Sequence, residues 1–192
     1  MKIAKPILLI LLIFLVEISK GQSVTSRNGS NVFDTSNINL PDVGINNYFF
    51  LGIDSGIAKI IGIKEFRKLS RRYTTNVYVI NDKKTELLRI TALSNETIVF
   101  EVGLNKNNPG KKKYKTKFSN FQTNEGIKLG ISESEFLNIF KDLTFKTTYS
   151  NGTKKYKLNT IKVGNNKVYN AQYYFENGKL VQWAFGLDNF PD

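Results

Sequence analysis

The stretch 168-VYNAQYYFENGKLVQWAFGL-187 decides the fold. Two runs rich in β-branched and aromatic residues flank Asn177-Gly178. Asn-Gly is the strongest short signal for a two-residue hairpin turn, because both central positions need positive φ. The spacing predicts an antiparallel pair with Phe175 opposite Leu180 and Tyr173 opposite Gln182. In that register Tyr174 sits beside Val181, and Gln172 beside Trp183. Further back, Asn151-Gly152 repeats the turn signal between Phe145 to Tyr149 and Lys154 to Leu158.

Ahead of these hairpins lies the clearest helix. Ser132 is a good N-cap, and Glu135 three residues later completes a capping box. Phe136, Leu137, Ile139, Phe140 and Leu143 form its apolar stripe. Upstream, Val77 to Ile80, Leu87 to Leu93 and Thr97 to Leu104 are strand-like runs separated by turn residues, the pattern of an antiparallel meander. Asn105 to Lys113 contains Pro109-Gly110 and reads as a loop, and Tyr114 to Phe121 alternates like another strand. Tyr48 to Ile63 is apolar with no clear period, and Glu65 to Tyr73 reads equally as a short helix or a strand edge. Together these predict an α+β fold: an antiparallel β-sheet of meander and hairpins with one helix packed on one face. The domain spans 47–192. A second reading makes its halves, 47–105 and 114–192, two diverged repeats.

One segment has a cadence of its own. Gly126-Ile127, Leu129-Gly130, Ser132 and Glu135-Phe136 lead into the helix, and Tyr173-Tyr174-Phe175 with Asn177-Gly178 and Leu180 close the last hairpin. Residues 125–187 thereby resemble the helix-plus-meander domain of the SmpA/OmlA outer-membrane-assembly lipoproteins and the β-lactamase inhibitor protein. The resemblance implies an exported module that acts by binding proteins. The lipobox cysteine of the first group and the paired cysteines of the second are absent, so it implies neither an anchor nor a disulfide here.

The N-terminus predicts the compartment. Lys2 and Lys5 precede an unbroken apolar run from Ile7 to Val16, and small residues lead to a cleavage position after Gly21. That order reads as a signal peptide over residues 1–21. Ten apolar residues rise only ~15 Å as a helix against a hydrocarbon core of ~30 Å, so the run is too short to span a bilayer. No transmembrane segment is expected after cleavage, and the destination is periplasmic or extracellular. Residues 22–46, rich in Ser, Thr, Asn and Gly, read as a flexible leader. With no cysteine in the chain, the fold must be held by its core, which 14 Phe, 9 Tyr and one Trp can supply.

Composition narrows the chemistry. Histidine is absent, which removes Ser-His-Asp and Cys-His catalysis and nearly all zinc sites. Ser55, within Gly52-Ile53-Asp54-Ser55-Gly56, has no histidine to activate it, and Lys59 misses the Ser-x-x-Lys spacing by one residue. Glu133 and Glu135 suit the first turn of the helix, and Glu96, Glu101 and Glu176 show no evident convergence. No cofactor or metal is expected.

The formal net charge is +12. Lysines cluster at Lys111, Lys112, Lys113, Lys115 and Lys117, and again at Lys154, Lys155 and Lys157. If the strands around Tyr114 and Tyr156 are neighbours, the clusters merge into one cationic, tyrosine-bearing face suited to anions. The bland reading is that these lysines keep strand edges soluble. The expected function is an exported, non-catalytic protein that binds a protein or a cell-envelope component through a sheet face, with Trp183, Tyr174 and Phe185 as candidate contacts. Alternatives are a secreted hydrolase using a carboxylate pair, or a binder of acidic glycan or anionic lipid. Nucleic acid fits the charge but is not expected as a partner of an exported protein.

Overall fold

The computed structural model describes residues 40–52, 55–69, 74–93, 96–106, 112–163 and 167–187. The signal expected over 1–21 and the leader through residue 39 lie outside them. In chain order, β1 (Gly44–Ile45) and β2 (Phe49–Phe50) form a small ladder, followed by α1 (Ser55–Ile61) and α2 (Ile63–Leu69). Then come β3 (Thr74–Ile80), β4 (Glu86–Leu93), β5 (Glu96–Leu104) and β6 (Lys113–Lys115). After α3 (Glu133–Ile139) follow β7 (Phe145–Ser150), β8 (Thr153–Leu158), β9 (Ile161–Val163), β10 (Lys167–Glu176) and β11 (Lys179–Leu187).

This is an α+β fold. Among the described residues, nine strands form one sheet in the order β6-β3-β4-β5-β11-β10-β8-β7, with β9 pairing to β10. Every pairing is antiparallel except β6 with β3. Read outward from the centre, one half runs β5, β4, β3 and the other β11, β10, β8. Each half places its helices before its strands in the chain, and β5 of one half meets β11 of the other at the middle.

Local chemistry sets the elements. Asn151 and Gly152 adopt φ of 49° and 79°, and Asn177 and Gly178 adopt 49° and 70°, the positive values that a two-residue turn needs. Ser132 caps α3: its hydroxyl accepts from the Glu135 amide, and the Glu135 carboxylate accepts from the Ser132 amide. Phe136 anchors the helix on the sheet, fully buried with its ring centroid 4.7 Å from Tyr173 and 5.2 Å from Phe175. Such burial stabilises by about 1.5–3 kcal/mol. The stripe expected from sequence is narrower in the fold: Phe136 and Phe140 are buried, but Leu137 and Ile139 are exposed.

The last hairpin holds the main correction. Phe175 does pair with Leu180, but a bulge follows, and Tyr174 pairs with Gln182 and Tyr173 with Trp183. Val181 is the residue squeezed out. A one-residue slip turns every later side chain to the other face. Trp183 and Phe185 therefore join Tyr173 and Phe175 in the core cluster, at 0% exposure, instead of sharing a face with Tyr174.

Three further expectations change. The leader ends before Asn46, because Asp42 and Ile45 are buried and Ile45 belongs to the core cluster. Of the alternating run from Tyr114 to Phe121, only Tyr114 and Lys115 are in a strand, β6, which begins at Lys113 in the expected loop. Beyond it, polar groups of the β3–β4 turn hold the chain out of the sheet: Asn81 donates to the Ser119 carbonyl, the Asp82 amide to the Phe118 carbonyl, and the Glu86 carboxylate accepts from the Phe121 amide. The apolar stretch before Ile63 divides between β2 and α1, and α2 takes the helical option for the segment after it.

Candidate functional site

Alternation along the strands gives the sheet two unlike faces. One carries Val79, Leu88, Val102, Trp183, Tyr173 and Tyr156 in a single cross-strand row, all part of the core cluster. Phe136 of α3 and Ile57 of α1 pack into the same cluster. The second face holds the alternate residues. One of its rows runs Tyr78, Arg89, Glu101, Ala184, Gln172, Lys157, Lys146; the next runs Ile80, Leu87, Gly103, Gln182, Tyr174, Lys155, Thr148.

The middle of this second face is close-packed and polar. Arg89 forms an ion pair with Glu101, which also accepts from the Gln182 amide at 3.3 Å. The Tyr174 hydroxyl donates to Gln172 Oε1 at 2.6 Å. Burial, with the Glu101 carboxylate adding to it, pushes the Tyr174 phenol above its ordinary range. Lys155 Nζ lies 5.5 Å from the Tyr174 ring centroid. The amide nitrogen of Gln172 is buried and has no hydrogen-bond partner.

The face opens at the β8–β7 end. There Lys146, Thr148, Lys155 and Lys157 line a groove of about 320 Å³. The strands bring them together by pairing: Lys146 is the cross-strand partner of Lys157, and Thr148 of Lys155. Lys146 and Thr148 were missed from sequence. Their signal was the alternation of β7, whose polar side faces that of β8.

The two lysine clusters do not merge. β6 and β8 lie near opposite ends of the sheet, because β3, β4, β5, β11 and β10 intervene, and Tyr156 faces the core. Lys113 and Lys115 stand on the second face at the β6 end, Lys113 donating to Asn105 at 2.7 Å. Lys112 pairs with Glu65 at 3.4 Å, and Lys117 is exposed in a bend. Lys111 lies outside the described residues. Of the aromatic candidates, only Tyr174 reaches the surface; Trp183 and Phe185 offer no contact area.

Several acidic side chains among the described residues have identifiable partners. Glu133 accepts from Lys154 at 2.6 Å and from the Tyr156 hydroxyl, which hold its carboxyl below the usual range. Hydrogen bonding to the Ser132 amide does the same for Glu135, and to Lys112 for Glu65. Burial raises Glu86. Asp42 is the most perturbed acid: burial pushes it up to about 7, against hydrogen bonds from Thr123, the Glu125 amide and the Tyr173 hydroxyl. Among the described residues, no three His, Cys, Asp or Glu side chains come together as a metal site, and no helix is long and apolar enough to cross a membrane.

No known family, curated protein or solved structure matches this chain.

Proposed function

We propose that the chain is an exported, non-catalytic binding module that engages a protein or a cell-envelope component through the second face of its sheet. The observation that carries this reading is the contrast between the faces. The helices and aromatic core occupy one. The other presents Tyr174, Gln182, Arg89, Glu101 and lysines from β8 and β7, an adaptable polar surface with one aromatic centre. The partners held by Glu65, Glu86, Glu101, Glu133 and Glu135 also support it, since each of these acids has a structural task. A glycosidase needs two carboxylates free to face a cleft. The resemblance expected for residues 125–187 would, if it holds, place the chain among exported protein-binding modules, and it is part of this proposal.

A photo-reactive phenylalanine analogue at position 174 tests it. In the native envelope, an adduct is expected from position 174 and none from position 138 on exposed α3. Adducts from both positions, or from neither, would reject the second face as the contact surface.

A further inference from the structure

We infer that β7 is a pairing edge, and that it takes the same strand of a second copy of this chain, laid antiparallel across a two-fold axis at Thr147. β7 ends the sheet and, among the described residues, pairs on one side only, with β8. The Asn159 amide donates to the Thr144 carbonyl at 3.5 Å. Alternation then puts Lys146, Thr148 and Ser150 in hydrogen-bonded pairs with β8, and turns the amides and carbonyls of Phe145, Thr147 and Tyr149 outward. Native edges are blunted by shortness, proline, bulges or lysines. The edge at the other end, β6, is three residues long and carries Lys113 and Lys115. β7 is six residues long, with no proline, an unbroken register and a single lysine.

The residues of the edge choose a second copy as the occupant. With the axis at Thr147, that residue meets its own counterpart, and Phe145 of each copy meets Tyr149 of the other. All the outward-pointing residues of β7 then face one another as hydrogen-bonded pairs, whereas an axis at Thr148 sets Phe145 against Asn151 of the turn. Threonine with threonine and aromatic with aromatic are favourable cross-strand neighbours. Tyr149, 74% exposed, is the most exposed large apolar residue among those described. In the dimer it lies against Phe145, whose own ring centroid is 5.3 Å from that of Phe136. Lys146 falls opposite Thr148, so no lysine of β7 stands directly across from another, which matters in a chain of formal net charge +12. The two-fold consumes this edge on both copies and stops at a dimer. Its axis runs normal to the sheet, so the second faces of both copies end on the same side.

The test is sedimentation equilibrium of the purified full chain, with amide hydrogen exchange followed residue by residue. A short edge makes a weak dimer, so a monomer–dimer equilibrium is expected within ~10–500 µM. Over that range the amides of Phe145, Thr147 and Tyr149 should gain protection, while those of Lys146, Thr148 and Ser150 are protected throughout. T147P removes an outward amide and leaves the ladder to β8 intact, the kind of edge position that accepts proline. It should weaken the dimer about tenfold or more, with the emission of buried Trp183 unchanged. T147K, which sets two lysines across the axis, repeats the loss should proline disturb the fold. Because the chain has no cysteine, T147C should cross-link to its counterpart on mild oxidation, and K115C on the β6 edge should not. A monomer at every concentration, a dimer indifferent to T147P and T147K, or equal cross-linking at both edges would overturn the proposal. Protection of the outward amides in the monomer would overturn it too, since another segment of the same chain would then cover the edge.

Discussion

Replacing Asp42 with asparagine separates one buried carboxyl from the rest of the protein's pH response. Asp42 is buried beneath the sheet, where Tyr173 donates to it at 3.2 Å and the Glu125 amide at 3.4 Å. Its pKa is raised from 3.8 to about 7. The folded state therefore holds a proton that the unfolded chain releases until pH falls near 3.8. With the folded value above the unfolded one, stability from this group rises as pH falls through 7 and is lost as pH climbs. At ~1.4 kcal/mol per unit, the swing is about 2.5 kcal/mol between pH 8 and pH 5, approaching ~4 kcal/mol at lower pH. Tyr169 and Tyr173 face the same pocket, but burial holds both phenols well above 10, so they stay neutral throughout. Glu86 is raised and has the same sign, while Glu65, Glu133 and Glu135 are lowered and have the opposite one. The difference between wild type and D42N cancels all four. Urea unfolding followed by Trp183 emission at several pH values gives that difference. Wild type should gain on D42N as the solution is acidified. A flat difference from pH 8 to pH 5, or one of opposite slope, would refute the reasoning.

Other substitutions probe the packing. At Gly186 an added Cβ would lie 2.1 Å from the Ile98 carbonyl oxygen and 2.8 Å from Val99 Cα, so G186A should cost about 1–3 kcal/mol or more in urea unfolding. F136A empties the point where α3 meets Tyr156, Tyr173 and Phe175, and should lower stability by about 3–5 kcal/mol. Trp183, at 0% exposure and stacked 5.7 Å from Phe185, should emit at short wavelength and resist iodide; ready quenching would contradict the bulged register. G178A, at φ of 70°, should cost about 1 kcal/mol and leave the spectrum unchanged.

Features written within a few neighbouring residues were legible in the sequence. Ser132 with Glu135, Asn151-Gly152 and Asn177-Gly178 each specify their structure locally, and all three appear where expected. Decisions made by distant partners were not. Leu180 and Val181 are both apolar, so nothing local marks Val181 as the residue to bulge; the bulge is what lets Trp183 and Phe185 reach the core alongside Phe100 and Tyr173. β6 pairs in parallel with a strand more than thirty positions earlier, a partner that alternation cannot name. Asp42 looked like leader because its burial depends on Thr123 and Tyr173. The groove followed the same rule. Lys155 and Lys157 were visible as charges, but Lys146 and Thr148 joined them only once the β7–β8 register was known.

The antiparallel contact of β5 with β11, from Gly103 with Gln182 to Val99 with Gly186, has a consequence for how the chain is made. A polypeptide emerging N-terminus first completes β5 roughly eighty residues before the strand that will cover it. Until then β3, β4 and β5 can zip together as neighbours while the outer amides and carbonyls of β5 stay open to any passing strand. The final hairpin thus acts as the clasp: when it arrives it removes that sticky border, and a nascent chain stalled before Lys179 should aggregate sooner than one stalled just after Leu187.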